Sequence, residues 1–164
     1  MKAKDKRIAE ESFRLGYWGL FLSKPRKKYR KDAFKYLSKA ARLGHILAQY
    51  NLALIYDKGF GVRKDLRKAF VWFKAAALQG DPESQTNLGY CYRHGEGVKR
   101  DFKKAVHWTS KAAKQKDSLA QWNLALAYLE GEGVKPNKTK AIFWLKKAAK
   151  KGHKKAKNKL KSLK

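Results

Sequence analysis

The residues of this chain best suited to chemistry are one cysteine and four histidines. Cys91 and His94 are three positions apart, so on a helix their side chains share a face and can touch. A thiol beside an imidazole suits a nucleophile with its base, or two ligands of a metal ion. No orienting acid or third ligand recurs beside the pair, and His45, His107 and His153 form no His-Glu-x-x-His pattern. We therefore expect no catalytic residue, no metal site and no cofactor.

A glycine-rich segment at Gly95 and Gly97 is the second candidate for chemistry, as a phosphate-binding loop. It follows a predicted helix instead of a strand, and it lacks the Lys-Ser/Thr ending of a P-loop. The segment is therefore interpreted as a turn. Cys91 is likewise interpreted as a small core residue, because the positions 36 residues before and after it hold Ile55 and Ala127.

The elements that position these residues repeat every 36 positions. Residues 48–80, 84–116 and 120–152 align without gaps, and 12 of the 33 columns are identical in all three copies. Chance produces far fewer, so the repeat decides the architecture. A degenerate copy precedes these three, and the register continues to Leu160 before it stops. The identical columns include Leu52, Leu88 and Leu124; Tyr56, Tyr92 and Tyr128; and Trp72, Trp108 and Trp144.

Each copy contains two segments with the apolar spacing of an amphipathic helix. In the first copy these begin at Ala48 and at Ala69, and a Gly-x-Gly-Val turn separates them. Asp65, Asp101 and Asn137 occupy one column just before the second segment, where they are good N-caps. Each copy is therefore a helical hairpin, and it buries its apolar stripe only by stacking on its neighbours.

The string Leu-Ala/Gly-x-x-Tyr, Gly-x-Gly-Val, Asp/Asn-x-x-Lys-Ala, x-x-Trp, x-x-x-Ala-Ala recurs from Leu52, from Leu88 and from Leu124. It resembles the Sel1-like repeat, a relative of the tetratricopeptide repeat. The resemblance implies an all-α fold, a right-handed α-α superhelix or solenoid of Sel1-like helical hairpins. We expect one repeat domain over residues 1–164. Its parts are a degenerate N-terminal repeat at 1–47, repeats at 48–83, 84–119 and 120–155, and a C-terminal capping helix at 156–164.

The resemblance also implies a non-enzymatic scaffold, whose first helices line a concave groove that holds a segment of a protein partner. Columns beside the core face of the first helices should then bind the partner, since rigid aromatic groups bury much area there. The asparagines resemble the tetratricopeptide position whose amide holds an extended peptide. Alternatively, the aromatic residues pack between neighbouring repeats and the asparagines bond the next repeat's backbone. The candidates are Tyr50, Asn51, Leu54, Asn87, Tyr90, Trp122, Asn123 and Leu126.

Positive charge is concentrated at the two ends of the chain. The net charge is +28, and residues 133–164 contain 13 lysines without one carboxylate. A second cluster, 24–31, has six basic residues in eight. Such a field attracts an anionic partner, and the residues expected to do so are Lys150, Lys154, Lys155 and Lys157.

An acidic protein is the predicted partner, and an anion-binding module for RNA, DNA or an anionic membrane surface is the alternative. Sequence-specific DNA reading is disfavoured, because it relies on arginine and the C-terminal excess is all lysine. A lysine-rich proteome would produce the same composition without any function. No secretory signal and no membrane-spanning run is visible in the sequence, so we expect a cytoplasmic protein. The oligomeric state is left open.

Overall fold

The computed structural model describes the backbone of residues 3–21 and 27–163, and side chains of residues 3–17 and 32–163. The basic cluster at 24–31 lies outside the described side chains. Within the described ranges every regular element is an α-helix. In chain order the helices are α1 Ala3–Phe21, α2 Lys27–Arg42, α3 Ile46–Lys58, α4 Leu66–Leu78, α5 Pro82–His94, α6 Phe102–Lys114, α7 Ser118–Glu130, α8 Lys138–Lys150 and α9 Lys154–Ser162. None of them is long and apolar enough to span a lipid bilayer.

The helices form two compact units. Unit 1, Met1–Gln79, contains α1 to α4, and unit 2, Gly80–Lys164, contains α5 to α9. In each unit every helix packs against the next one along the chain. We call α3, α5 and α7 the first helices of their hairpins, and α4, α6 and α8 the second helices.

Helices α3 to α9 begin at side chains that accept an otherwise unpaired backbone N–H group of the first turn. The predicted caps of the second helices are confirmed: Asp65, Asp101 and Asn137 each accept the N–H group three residues further on. That hydrogen bond, from Lys68 in one case and Lys104 in the other, lowers the pKa of Asp65 and of Asp101. The caps of α3, α5, α7 and α9 are His45, Asp81, Asp117 and His153.

The repeated leucines form the centre of the core in both units. Leu52, Leu88 and Leu124 are buried, as the periodicity predicts. Trp72 packs against the cluster of Leu52 and Trp144 against that of Leu124, both as half-buried side chains. Cys91 is buried too, in agreement with its interpretation as a small core residue. A buried leucine contributes roughly 1.5–3 kcal/mol, so these columns hold the hairpins together.

A pair of glutamines joins neighbouring hairpins in unit 1. The side-chain amide of Gln79 donates to the carbonyl of Gly44 at 3.1 Å and to Oε1 of Gln49 at 2.8 Å. Gln49 in turn donates to the carbonyl of Ala41 at 3.1 Å. The carbonyl acceptors lie in the last turn of α2 and just after it, where the carbonyl of Ala41 also accepts the N–H group of Gly44. The network therefore fixes α3 and α4 against the end of the preceding helix.

Unit 2 contains the same network and then departs from it. Gln115 makes the equivalent bonds, including one to Oε1 of Gln85 at 2.9 Å. In the last repeat Lys151 occupies this column, and its ammonium donates to the carbonyl of Lys116 at 2.6 Å. Oε1 of Gln121, which is equivalent to the acceptor on Gln85, is consequently buried without a hydrogen-bond partner. The replacement of glutamine by lysine leaves one acceptor of the network unpaired.

A glycine in the Gly-x-Gly turn allows the third full hairpin to approach the second. Gly133 has φ +73°, and a Cβ there would overlap the backbone carbonyl of Phe102. Only glycine tolerates both the left-handed backbone and this contact. The turn after α7 therefore lies directly against the start of α6.

Candidate partner-binding site

A small cavity opens in unit 2 among α5, α6 and the end of α7. Its volume is about 80 Å³, which is below the roughly 300–1,000 Å³ of sites for cofactors and drug-sized ligands. It has room for one side chain. The residues that line it are Gly89, Tyr90, Arg93, His94, Phe102, Ala105, Val106, Thr109, Asn123, Ala127 and Glu132.

The cavity exists because two residues of this repeat are smaller than their equivalents. Thr109 occupies the column that holds Phe73 in the previous repeat and Leu145 in the next. Gly89 replaces an alanine, and a Cβ at this position would overlap the hydroxyl of Thr109. The side chain of Thr109 fills the space beside Gly89, and the volume that phenylalanine or leucine would add at residue 109 is left to the cavity.

Charged groups hold one wall of the cavity in place. Arg93 on α5 lies 2.5 Å from a carboxylate oxygen of Glu130 and 2.6 Å from one of Glu132. The second contact is an ion pair without a well-aligned hydrogen bond, because Oε2 of Glu132 accepts none. Two carboxylates therefore neutralise the guanidinium and restrict its rotation. The ring of Tyr90 is 45% exposed and lies 4.1 Å from the imidazole of His94, between ring centres.

The three equivalent asparagines of the first helices differ in their hydrogen bonds. The amides of Asn51 and Asn87 donate to the carbonyls of Leu47 and Glu83 on their own helices, at 2.7 and 2.8 Å. Asn123 makes no such bond with the described residues, and its side chain lines the cavity. Its amide is thus the one of the three whose donors and acceptor are all available at the cavity.

The other candidate positions are half-buried. The ring of Tyr50 lies 6.1 Å from that of Phe73, and Leu54 and Leu126 are partly covered. Trp122 stacks on His153 at 5.2 Å and packs against the core cluster of α7, α8 and α9. The contacts of Trp122 are therefore within its own unit, whereas Tyr90 projects from the surface.

His153, whose imidazole stacks on Trp122, is also the N-cap of α9. Nδ1 of His153 accepts the N–H group of Ala156 at 3.1 Å, which requires a neutral ring. Burial lowers the pKa of His153, and the positive charge of Lys155 lowers it further, against a weaker opposing effect of Asp117. The cap is thus held in its accepting form.

Four consecutive segments of the chain match one known repeat family. The matched residues are 12–45, 46–81, 82–117 and 118–153, and the family is the Sel1 repeat. The chain belongs to the Sel1 repeat family. Proteins built of Sel1 repeats are generally protein-interaction scaffolds and are typically non-enzymatic.

Three solved structures resemble the chain, two of them along nearly its whole length. The protective antigen c5321 of uropathogenic Escherichia coli, which displays an SLR fold, is 34% identical, with a TM-score of 0.87 over 97% of this chain and 36% of its own. A Sel1 repeat protein from Oxalobacter formigenes is 29% identical, with a TM-score of 0.86 over 98% of this chain and 63% of its own. Helicobacter pylori cysteine rich protein B is 27% identical, with a TM-score of 0.58 over 71% of this chain and 92% of its own.

The chain spans about a third of the first of these relatives and about three fifths of the second. A comparison with curated proteins finds no match. The structural similarities confirm the predicted fold class, a solenoid of Sel1-like helical hairpins. The last three family matches begin two residues before the repeat boundaries of the sequence analysis, and the first begins at residue 12, within the expected N-terminal repeat.

Sequence reasoning missed the residues that shape the cavity. Within the Sel1 repeats, Gly89 and Thr109 depart from the columns in which their equivalents are Ala and a large apolar residue. That departure was visible in the alignment, and it marks the repeat that differs from its neighbours. The pairing of Arg93 with Glu130 and Glu132 joins residues about one period apart, and it could be seen only once neighbouring hairpins were in place.

The cysteine and histidine considered first are also accounted for within the Sel1 repeat. Cys91 is buried, and His94 lies on the cavity rim beside Tyr90. Across the described residues, no group of three or more His, Cys, Asp and Glu side chains is placed to hold a metal ion.

Proposed function

We propose that the chain is a non-enzymatic scaffold that binds an extended segment of a protein partner on the first-helix face of unit 2. We define this face as the surface of α5 and α7 around the cavity, with Tyr90, Arg93, His94 and Asn123 at its rim. The observation that carries the proposal is the cavity itself. The cavity has room for one side chain, and the chain belongs to a family whose members generally act as interaction scaffolds.

Binding involves three contacts on this face. One apolar side chain of the partner enters the cavity, where Val106, Phe102 and Ala127 supply apolar walls. The amide of Asn123 then donates to, and accepts from, the partner's backbone beside that side chain. Tyr90 covers the entering group, and an aromatic ring buries a large area at little entropic cost.

Of the remaining candidates, those on α5 and α7 extend the first-helix face of unit 2. Asn87 and Leu126 lie on α5 and α7, and in unit 1 Tyr50, Asn51 and Leu54 occupy the equivalent positions on α3. In unit 2 the stack of Trp122 on His153 places the N-terminal half of α7 beside the start of α9.

Exposed lysines follow directly after that junction. A partner segment with acidic residues beyond its anchoring side chain would meet the lysines of α9 there, and Lys150 at the end of α8. The α9 lysines concerned are Lys154, Lys155 and Lys157.

The proposal is tested by selecting peptides from a random display library on the purified chain and measuring their affinity for variants. Tyr90→Ala and Asn123→Ala should each weaken a selected peptide by about 10-fold, because each removes one direct contact. Asn51→Ala is the matched control, since its amide is already bonded within α3. Circular dichroism should show unchanged helicity for all three.

Two results would reject the proposal. The first is a selection that yields no peptide above background. The second is a set of peptides that bind Tyr90→Ala and Asn123→Ala as tightly as the unchanged chain, because such peptides would occupy another surface.

A further inference from the structure

Positive charge in unit 2 is segregated between the two kinds of helix. The first helices α5 and α7 contain no lysine, and the single arginine among them, Arg93, is paired with two carboxylates. The second helices α6 and α8 contain four and five lysines and no carboxylate. The lysines of α6 and α8 are therefore on other helices than Tyr90, Arg93 and Asn123 at the rim of the cavity.

An exposed aromatic ring lies at the centre of the basic surface on α8. Phe143 is 50% exposed, although phenylalanine is usually buried. Lys140, Lys146, Lys147 and Lys150 are exposed at spacings of three to seven residues from it, which places them around the ring on the outer side of the helix. The ammonium of Lys147 lies 4.8 Å from the ring centre.

The period of 36 residues places equivalent cations on α6. Lys104, Lys111 and Lys114 are exposed and occupy the same columns as Lys140, Lys147 and Lys150 on α8. Of the lysines on α6 and α8, only Lys104 forms an ion pair with a described carboxylate, that of Asp101. We call the exposed residues of α6 and α8 the second-helix face of unit 2.

We propose that the second-helix face of unit 2 binds the surface of an anionic lipid bilayer. Clustered lysines are attracted by the negative potential of such a surface, and each lysine adds to the binding free energy. A protruding Phe143 can insert among the headgroups, while the long lysine side chains around it keep their ammonium groups at the phosphates. The chain would then present its protein-binding face and its lipid-binding face on different helices.

Two observations favour lipid over nucleic acid as the anion. Neither α6 nor α8 contains an arginine, the residue that pairs with phosphates and bases through two hydrogen bonds. Single-stranded nucleic acid is held by a succession of stacking rings, whereas Phe143 is the one exposed large apolar residue on this face and Lys147 covers part of its ring.

The test is co-sedimentation of the purified chain with vesicles of phosphatidylcholine containing phosphatidylglycerol, and with pure phosphatidylcholine vesicles. We expect binding to the anionic vesicles alone, weakening with added salt. Lys146→Gln with Lys150→Gln should weaken it about 30-fold, at about 5-fold per lysine. Phe143→Ala should weaken it about 5-fold, because half a ring's apolar surface is lost from the interface.

The matched control is Lys35→Gln with Lys64→Gln, which removes the same charge from exposed positions of unit 1. It should change vesicle binding by less than about 2-fold, and so should Tyr90→Ala on the first-helix face. Equal losses in the control and in the α8 variant would overturn the proposal, because binding would then follow net charge alone. Absence of vesicle binding would overturn it too. A single-stranded RNA bound more tightly than vesicles, with the same loss in Phe143→Ala, would assign the face to nucleic acid instead.

Discussion

The cavity in unit 2 makes a prediction in which stability and binding change in opposite directions. Thr109 lines the cavity, and the equivalent residues are Phe73 and Leu145. Thr109→Leu should therefore fill the space with a side chain that the same fold already accommodates in the next repeat. Gly89 lies opposite Thr109, where the equivalent residue beside Leu145 is Ala125.

The magnitude follows from the atoms that change. Leucine replaces the hydroxyl of Thr109 by carbon and adds one further carbon, and the hydroxyl makes no hydrogen bond that would be lost within the described part of the chain. Two buried apolar groups contribute about 1.6 kcal/mol, and ordering a leucine side chain costs about 0.5–1 kcal/mol. The better helix propensity of leucine adds a few tenths, so we expect a gain of about 1 kcal/mol. For a chain of this size that raises Tm by about 3 °C.

Peptide binding should fall in the same variant. An apolar side chain excluded from the cavity loses most of its buried area, which corresponds to about 10-fold or more in affinity. Calorimetry measures Tm, and fluorescence anisotropy measures the affinity of a peptide selected on the unchanged chain. Thr109→Ser is the control, since it keeps the cavity open and should retain binding while losing about 1 kcal/mol of stability. A lowered Tm for Thr109→Leu, or undiminished peptide binding, would refute the assignment of the cavity as the anchoring site.

Three further predictions concern the end of unit 2. Trp122→Ala should destabilise the chain by about 2–3 kcal/mol in urea unfolding, because the indole joins α7 to α8 and α9; unchanged stability would contradict that role. The pKa of His153 is lowered in the folded chain, so its neutral ring stabilises the fold. This contribution to the free energy of unfolding is complete above about pH 6.5, and it is lost as the pH falls through the folded pKa. Tm should therefore drop between about pH 7 and 5, and His153→Asp, the cap used at equivalent positions, should reduce that drop. Lys151→Gln should raise the free energy of unfolding by about 1 kcal/mol in the same urea assay. The new amide would donate to the unpaired Oε1 of Gln121 as well as to the carbonyl of Lys116. A loss of stability would show that another donor already pairs with Oε1 of Gln121.

The parts of the fold that follow from local spacing could be predicted from the sequence. Caps such as Asp65 and Asn137 act over three residues, and the burial of Leu88 follows from the helical period. Imidazole caps are less easily predicted, because His45 and His153 accept a backbone N–H group only when the ring is neutral and correctly turned. Their column could have indicated the role, since it holds aspartate in the two repeats between them.

The site was less predictable because its geometry depends on pairs of residues from different helices. Repetition identified the first helices as candidates, but it gave Asn51, Asn87 and Asn123 equal weight. They differ because the cavity lies beside only one of them, and that cavity arises from the combination of Gly89 and Thr109. A volume deficit shared between two helices is not visible in the pattern of either helix alone.

The cavity depends on only two columns of the repeat, and this has a consequence for how the binding surfaces of repeat proteins diversify. Two substitutions, a large apolar residue to threonine and an alanine to glycine, separate a filled repeat from a hollow one. Leu52, Leu88 and Leu124, together with the turn glycines, keep each module folded while those two columns vary. After a duplication, a new copy can therefore acquire its own receptor for a side chain without disturbing the register of the array.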